Sequence, residues 1–395
     1  MKKAYISINN FLIGGVETSL VSFINILMKD YDVTLEILGK YDENMIRRLD
    51  KSIKLRFPNK SIRKYVDLEG THRKNTKGLS DIILKIVFYI TNKIKLSKLL
   101  YLAISFRQKD EIYYDLAISY TGRPGIWDYL LLSTIKSRLY LSWIHNDPNK
   151  LGIKSHHYKV YYSKYDIILC VSMDSLNKIK KILLKMTSLN FKFSIIQLIM
   201  KDYLRCLNKK IIEHDSNVFT ILTVARIQNS SKRIDRIVDV ASMLIDNNIT
   251  SFKWYVLGDG PDYEEILNQV RNRNLKNYLI FKGSCDNPYP YFKNADLFVL
   301  TSDYEGLPVV LMEARHFKLP ILTTNIDSAS EMVNHMIDGV ISEKNVVNLY
   351  EWIKKIITEP DFYGIIRQNS LTHKGYNNND LSEFHKIIRG LSNEE

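Results

Sequence analysis

The amino-acid sequence predicts an α/β protein made of two doubly wound, Rossmann-like parallel sheets. Short β-branched or aromatic runs alternate with helical segments along the whole chain. The runs are almost continuously apolar, as strands covered on both faces must be. The 395 residues are too many for one ordinary core and suit two domains of roughly 150–200 residues each.

In the first half the expected strands are AYISI (4–8), VTLEIL (33–38), IKLRF (53–57), YDLAISY (114–120), RLYLSWI (138–144) and DIILCVS (166–172). In the second half they are FTILTVA (219–225), FKWYVLG (252–258), LIFKG (279–283), DLFVLTS (296–302) and PILTT (320–324). The polar stretch 201–217 reads as the hinge. The expected domains are therefore 1–205 and 206–370, with a final helical piece at 371–395.

Composition bounds what such a chain does. With 45% hydrophobic and 25% charged residues it is a globular protein, neither disordered nor of low complexity. Three widely spaced cysteines, Cys170, Cys206 and Cys285, show no metal-ligand pairing and fit a reducing cytosol. No stretch reaches the roughly 18–20 apolar residues of a membrane span. The basic, apolar start is interrupted by Asn9 and Asn10 and reads as a first strand, not a signal peptide.

The net charge of +13 is unevenly placed. Residues 51–110 hold 15 Lys and Arg against four Asp and Glu, a net +11 that leaves +2 for all the rest. Lysines there interleave with Ile, Leu, Phe and Tyr, which suits a helix pair lying on anionic lipid. A Lys-rich solvated face over ordinary core helices is the other reading. No zinc finger, RNP-like aromatic motif or helix-turn-helix pattern supports nucleic acid as the partner.

In doubly wound sheets, ligands sit beyond the carboxyl ends of the strands. The candidate motifs all fall there. Gly14 and Gly15 follow the first strand, His145 follows LYLSWI, Arg226 follows TILTVA, Gly258 follows WYVL, and Glu305 follows LFVLTSDY. Two such edges facing one another would form one cleft between the domains.

The stretch SDYEGLPVVLMEA places Glu305 and Glu313 eight positions apart across the start of a helix, with Pro308 at its expected first position. The amides of Gly306, Leu307 and Val309 lie between them, at the positive end of the helix dipole. Hydroxyls at both ends and phosphate in the middle would satisfy all three groups, as in a nucleotide sugar. Taken alone, the two carboxylates also read as groups serving the helix dipole. Arg226 and Lys232, in ARIQNSSKRID, can supply the roughly two positive charges a diphosphate needs, so no metal is expected. Asp30 and Asp32 form an Asp-x-Asp pair in a helix-to-strand turn at the opposite edge. Gly14 and Gly15 allow close backbone approach to a phosphate, or simply a tight turn. His145 reads equally as a structural histidine or as a group near the sugar.

The pattern SDYEGLPVVLMEARHFKLPILTT resembles the E-x7-E signature of the retaining glycosyltransferases of family 4, which have the GT-B fold. GGVET, SWIHND, YDIILCVS, ILTVARIQNSSKRIDRIVDVASML, YVLGDGPDYEEI and FKGSCDNPYPYFKNADLFVLTS resemble the family too, together covering about residues 5–345. The SWIHND segment is similar to bacterial enzymes that assemble capsular, exopolysaccharide or other surface glycans on a lipid carrier. The resemblance implies that Glu313 binds the ribose and Glu305 faces the donor sugar. It gives Arg226 and Lys232 the diphosphate, and sets the Gly15 amide over the phosphates. His145 would lie near the reacting carbon, with Lys282, Gly283 and Asn287 bordering the base. It also implies a C-terminal helix that crosses back to the first domain.

Three positions depart from the pattern: Ala225 and Lys318 replace glycines, and Leu198 stands where an Asn-Pro turn is usual. The expected activity is a metal-independent, retaining hexosyl transfer without cofactor. Its donor would be a UDP-hexose or UDP-N-acetylhexosamine and its acceptor a lipid-linked saccharide at the inner face of the cell membrane. A donor-binding but inactive partner subunit and a GT-B sugar-nucleotide epimerase remain as alternatives. If residues 51–110 meet lipid, replacing Lys85, Lys93, Lys95 and Lys98 by Gln releases the protein from anionic vesicles in a flotation assay. Unchanged binding refutes that contact.

Overall fold

The structure is a computed structural model that describes residues 1–58, 111–120, 122, 124–183, 192–195, 218–285 and 287–372, together with Phe384 and Ile388. Of the expected lipid-facing segment 51–110, all but residues 51–58 lies outside the described residues, as do the hinge at 201–217, Leu198 and Cys206. The chain forms two compact units, Met1–Leu198 with Asp380–Glu395, and Ile199–Asn379.

The first unit runs β1 (Lys2–Ile8), α1 (Gly15–Leu27), β2 (Tyr31–Ile37), α2 (Glu43–Arg47), β3 (Lys54–Arg56), β4 (Tyr113–Ser119), α3 (Ile126–Thr134), β5 (Lys136–Ile144), α4 (His157–Val160), β6 (Ile167–Cys170), α5 (Met173–Leu183) and β7 (Lys192–Ile195). Its strands pair in the order β3-β2-β1-β4-β5-β6-β7, all parallel. Tyr5, Ala117, Ile144, Ile168 and Cys170 fill the core on one side of this sheet against Leu131, Leu176 and Ile179. The spacing of Leu176, Ile179 and Leu183 puts one apolar stripe of α5 on the sheet.

The second unit runs β8 (Phe219–Val224), α6 (Asp235–Asp246), β9 (Phe252–Leu257), α7 (Tyr263–Asn272), β10 (Leu279–Phe281), α8 (Tyr289–Lys293), β11 (Leu297–Leu300), α9 (Val309–His316), β12 (Ile321–Thr324), α10 (Ala329–Met332), β13 (Gly339–Ser342), α11 (Val346–Thr358) and α12 (Pro360–Thr372). Its order is β10-β9-β8-β11-β12-β13, again all parallel. Ile237, Val240, Ala241 and Leu244 of α6 meet Leu349, Ile353 and Ile356 of α11 in a core built on Ile221, Trp254 and Val299. Both helices carry the i, i+3, i+4, i+7 spacing of an amphipathic face. Asn345 caps α11 by accepting from the Asn348 amide at 2.8 Å.

Both sheets reverse direction in the middle, between β1 and β4 and between β8 and β11. At such a switch point the connecting loops diverge to opposite faces and leave a crevice at the strands' carboxyl ends. Side chains tie the second switch point together. Trp254 Nε1 donates to Thr223 Oγ1 at 3.0 Å, which donates to the Val299 carbonyl at 2.8 Å, linking β9, β8 and β11.

The structure corrects several expectations. β7 and β13 were absent from the predicted strands; each is a four-residue edge strand, and KFSI and GVIS lack the longer apolar run that flags the other strands in the sequence. Pro308 is the N-cap of α9, one residue earlier than expected, with Val309 opening the helix. The second unit reaches beyond residue 370, because α12 ends at Thr372 and closes on Asp338 through Ser370 Oγ at 2.9 Å. Phe384 and Ile388 are buried and belong to the first unit. Lys318 follows α9 with φ 59°, the left-handed conformation that glycine adopts without penalty. That explains why glycine is usual there in the family it resembles.

Arg315 of α9 is 1% exposed and holds the segment before β13. Its guanidinium donates to the Met332 carbonyl at 3.0 Å and the Asp338 carbonyl at 3.2 Å, and ion-pairs with the Asp338 carboxylate. Asn334 Nδ2 donates to the other Asp338 oxygen at 2.7 Å. Arg315→Ala would leave that carboxylate buried and short of its cation, and urea unfolding should show a loss of about 3–5 kcal/mol.

Candidate functional site

The loop from Ala225 to Ile234 leaves β8 at the switch point and carries Arg226 and Lys232. Its path is forced by two glycines on its neighbour. At Gly258, with φ 139°, a Cβ would lie 1.9 Å from the Ala225 carbonyl oxygen. At Gly260 it would lie 2.2 Å from that of Ile227. The strands' ends are then laced: Ile227 N donates to the Asp259 carbonyl at 3.0 Å, and Gly258 N to the Gly283 carbonyl at 2.7 Å. Further along, the Asp262 carboxylate accepts from the Asn229 amide at 2.6 Å, and Asn229 Oδ1 from the Asp235 amide at 3.1 Å.

The other side of the crevice is the loop from β11 to α9. Thr301 Oγ1 donates to the carbonyls of Lys232 and Arg233 at 2.9 and 3.0 Å, and the Asp303 amide donates to the Ser231 carbonyl at 2.8 Å. Two arginines add charge to this seam. Buried Arg236 donates to the Thr301 carbonyl at 2.8 Å and ion-pairs with Asp303 at 2.6 Å. Arg233 grips Asp235 and reaches Asp303 at 3.3 Å, and its pKa is raised chiefly by the Asp235 hydrogen bond.

Within that frame the Lys232 ammonium is ion-paired with the Glu305 carboxylate. Ser302 Oγ donates to the same carboxylate oxygen at 2.7 Å. Thr324 at the end of β12 donates to the Ser302 carbonyl, so three adjacent strands converge on Glu305. Arg226 is exposed and makes no side-chain hydrogen bond or ion pair among the described residues. Glu313 is buried on α9, five residues into the helix. Gly306, Leu307 and Pro308 are buried between the two acids, and no side chain caps the helix or places an acid in its first turn. Among the described residues, the positive end of α9 is thus offset by no capping side chain and no first-turn acid.

Lys282 is exposed after β10, and Gly283 takes φ 69°. Asn287 Oδ1 accepts from the Tyr289 amide at 3.3 Å ahead of α8. These three lie on the β10 side of the loop that bears Arg226.

In the first unit, Gly15 opens α1 and Gly14 is its N-cap in extended backbone. The Glu17 carboxylate lies over Gly14, where an added Cβ would come 2.5 Å from its oxygen. The first turn of α1 therefore already carries an acid, unlike that of α9. His145 follows β5 and is 8% exposed. Burial drives its pKa down to about 3, so the imidazole is neutral, and among the described residues its Nε2 has no hydrogen-bond partner. Gly122, after β4 with φ 59°, packs on the end of β5: a Cβ there would lie 2.4 Å from the Trp143 carbonyl. Asp147 Oδ1 accepts from the Asn149 amide at 2.8 Å and Oδ2 from Lys178 at 2.5 Å. Burial raises the Asp147 carboxyl, but the Lys178 hydrogen bond, the Lys150 and Asn149 amides and the Lys178 charge outweigh it and hold it low. At the opposite edge, Asp32 is ion-paired with Lys54 at 2.5 Å in an exposed position.

The structure thus brings Lys232 and Glu305 into contact, with Arg226 on the same loop as Lys232 and Glu313 on the helix after Glu305. It sets Gly258 and Gly283 against their supports. Sequence reasoning missed Gly122, Gly260, Thr301, Ser302, Asp303 and Arg236. Gly260 was visible in LGDGP; Gly122 becomes meaningful only through its contact with the end of β5, and the others only once β8 and β11 are neighbours.

Residues 206–376, nearly the whole second unit, match the family model of glycosyl transferases group 1. The chain is 27% identical over 165 residues to the UDP-Gal:alpha-D-GlcNAc-diphosphoundecaprenol alpha-1,3-galactosyltransferase of Escherichia coli, covering 41% of this chain and 42% of that protein. It is 26% identical over 230 residues to the poly(glycerol-phosphate) alpha-glucosyltransferase of Bacillus subtilis strain 168, covering 56% and 33%. The chain thus spans less than half the length of these relatives. Among solved structures it is similar over 100% of both chains to Anabaena HepE in complex with UDP and glucose, with a TM-score of 0.65 at 14% identity. WaaG, a glycosyltransferase involved in lipopolysaccharide biosynthesis, matches over 98% of this chain and 100% of its own, with a TM-score of 0.65 at 13% identity. These likenesses establish the GT-B fold.

Removing the charge of Glu305 frees the Lys232 ammonium. Glu305→Gln should therefore bind pyrophosphate about two- to fivefold more tightly by calorimetry. Weaker or equal binding means that the ammonium is not available to phosphate.

Proposed function

We propose that the protein is a retaining glycosyltransferase that moves one hexosyl unit from a UDP-sugar to a lipid-linked saccharide in bacterial surface-glycan synthesis. The observation that carries this reading is the Lys232–Glu305 pair at the β8–β11 switch point, beside the uncapped start of α9. A cation and an acid in contact there serve the two halves of one ligand. The phosphates take Lys232 and Arg226 together with the α9 amides, and the sugar hydroxyls take Glu305. Glu313 accepts the ribose hydroxyls. Support for UDP comes from the UDP-Gal named for the Escherichia coli relative and from the UDP in the Anabaena complex. Support for a lipid-linked acceptor comes from the diphosphoundecaprenol that the same relative's name carries.

The chemistry follows from charge. As the bond from sugar to phosphate breaks, negative charge grows on the nucleotide, and Lys232 and Arg226 offset it without a metal. Lys232 then exchanges its carboxylate partner for phosphate, and the freed Glu305 turns to the sugar. The departing phosphate takes the acceptor's proton on the face it leaves, which gives retention. His145, neutral throughout, offers a hydrogen bond to the sugar and never a charge. We place the enzyme at the inner face of the membrane, held through residues 51–110. Among the described residues no helix is long and apolar enough to cross a membrane.

A panel of UDP-sugars with a lipid-linked acceptor tests the reading. Glycan product supports transfer; an isomerised nucleotide indicates an epimerase, and binding without turnover an inactive partner subunit. In the active pair, Lys232→Ala should lower turnover about 100-fold or more, as for loss of one transition-state donor. Turnover equal to wild type removes Lys232 from the mechanism.

A further inference from the structure

The imidazole of His145 is placed without hydrogen bonds: among the described residues no polar group bonds its ring, and its buried Nε2 has no partner. Rings hold it instead. Tyr120 lies 4.2 Å from it between centroids, and Trp143, two residues back on the same face of β5, stacks at 5.4 Å and 22°. Tyr120 is itself tied to α1 by a 3.2 Å bond between its hydroxyl and Ser19 Oγ.

Behind Trp143 sits Phe384, fully buried. It stacks on Trp143 at 6.3 Å and 15°, and meets Phe23 of α1 edge-on at 5.2 Å and 85°. Phe23 closes the triangle, edge-on to Trp143 at 5.1 Å and 81°. One side chain from the far end of the sequence therefore braces both first-unit elements that carry site residues: α1, which Gly15 opens, and the end of β5, which His145 follows. A hydrogen-bonded imidazole would keep its orientation if a neighbour loosened. One held by packing alone follows its neighbours, because interiors are close-packed and transmit displacement.

We propose that Phe384 is a positioning residue for His145, acting through Trp143 and Phe23, so that turnover depends on a C-terminal segment that bears no donor-binding group. This rests on the reading above in which His145 meets the donor sugar. The ordinary alternative is that Phe384 contributes only to the stability of the first unit, and the test separates the two.

The full chain is prepared as wild type, Phe384→Leu and Ile388→Ala, all with histidine labelled at Cε1. The His145 resonance is assigned from a His145→Gln spectrum. Ile388, four residues on and also buried, serves as the control for packing loss on the same segment. Phe384→Leu keeps an apolar side chain but no ring, so the His145 resonance should move out of its ring-current position. UDP affinity, set by the second unit, should stay at the wild-type value, while kcat falls about tenfold or more. Ile388→Ala should lower thermal stability without moving that resonance or kcat. A His145 resonance in Phe384→Leu at its wild-type position, or a wild-type kcat, overturns the proposal. So does an equal effect of the two variants on both readouts. Should no UDP-sugar be turned over even by the wild type, the transferase reading fails, and the resonance alone still decides whether Phe384 positions the ring.

Discussion

One seam governs the second unit: the bonds that join the loop after β8 to the loop after β11. Doubly wound topology makes β8 and β11 neighbours although more than seventy residues separate them, and sends their following helices to opposite faces. The crevice this opens would splay without a tie. Thr301, bonded to two successive carbonyls of the facing loop, together with Asp303 and its arginines, provides that tie. Every charged group assigned to phosphate or sugar hangs from one of these two loops or the helix after them. Backbone bonds set the loops, and the side chains inherit their separation.

The seam also explains how a carboxylate and an ammonium are kept ready without a ligand. A partly buried charge is costly unless paired. Lys232 and Glu305 neutralise each other, and the Ser302 hydroxyl fixes which carboxylate oxygen does the pairing. Arg226 needs no such partner, because it stands in solvent. The start of α9 is left without a capping side chain or a first-turn acid, whereas α1 has Glu17 there. Of the two helix starts that sequence alone offers to phosphate, α9 is the one with uncompensated positive potential. For α1, the Gly15 amide competes for an anion with a carboxylate already in place.

Much of this architecture was legible because most strands are buried on both faces and leave apolar runs; eleven of the thirteen strands fall within such runs. β7 and β13 do not, being short edge strands whose identity comes from the neighbour they pair with. The site was legible in the same uneven manner. Arg226 and Glu305 stand just past strand ends, with Lys232 on the same loop as Arg226 and Glu313 eight positions after Glu305, a spacing that can be picked from one dimension. Thr301 and Gly122 cannot. A threonine at the end of an apolar run is ordinary, and a glycine in YTGRPG looks like any turn. Their meaning is a contact with a segment far away in sequence. The contact between Lys232 and Glu305 was hidden for the same reason, since each was assigned its own part of a ligand and not the other.

The two units fix their site residues by different physics. In the second, directional bonds between backbone and side chains set the loops, and such bonds tolerate changes in nearby packing because angle and distance are enforced at each link. In the first, His145 is set by the shapes of Tyr120 and Trp143, and burial keeps it uncharged. A cationic imidazole in that aromatic nest would pay a desolvation penalty with no carboxylate bonded to it to offset the charge. The same enclosure that denies it a proton also denies Nε2 a partner, leaving a neutral, oriented and unsatisfied nitrogen. Packing thus fixes His145 in the first unit, where directional bonds and ion pairs fix Lys232 and Glu305 in the second.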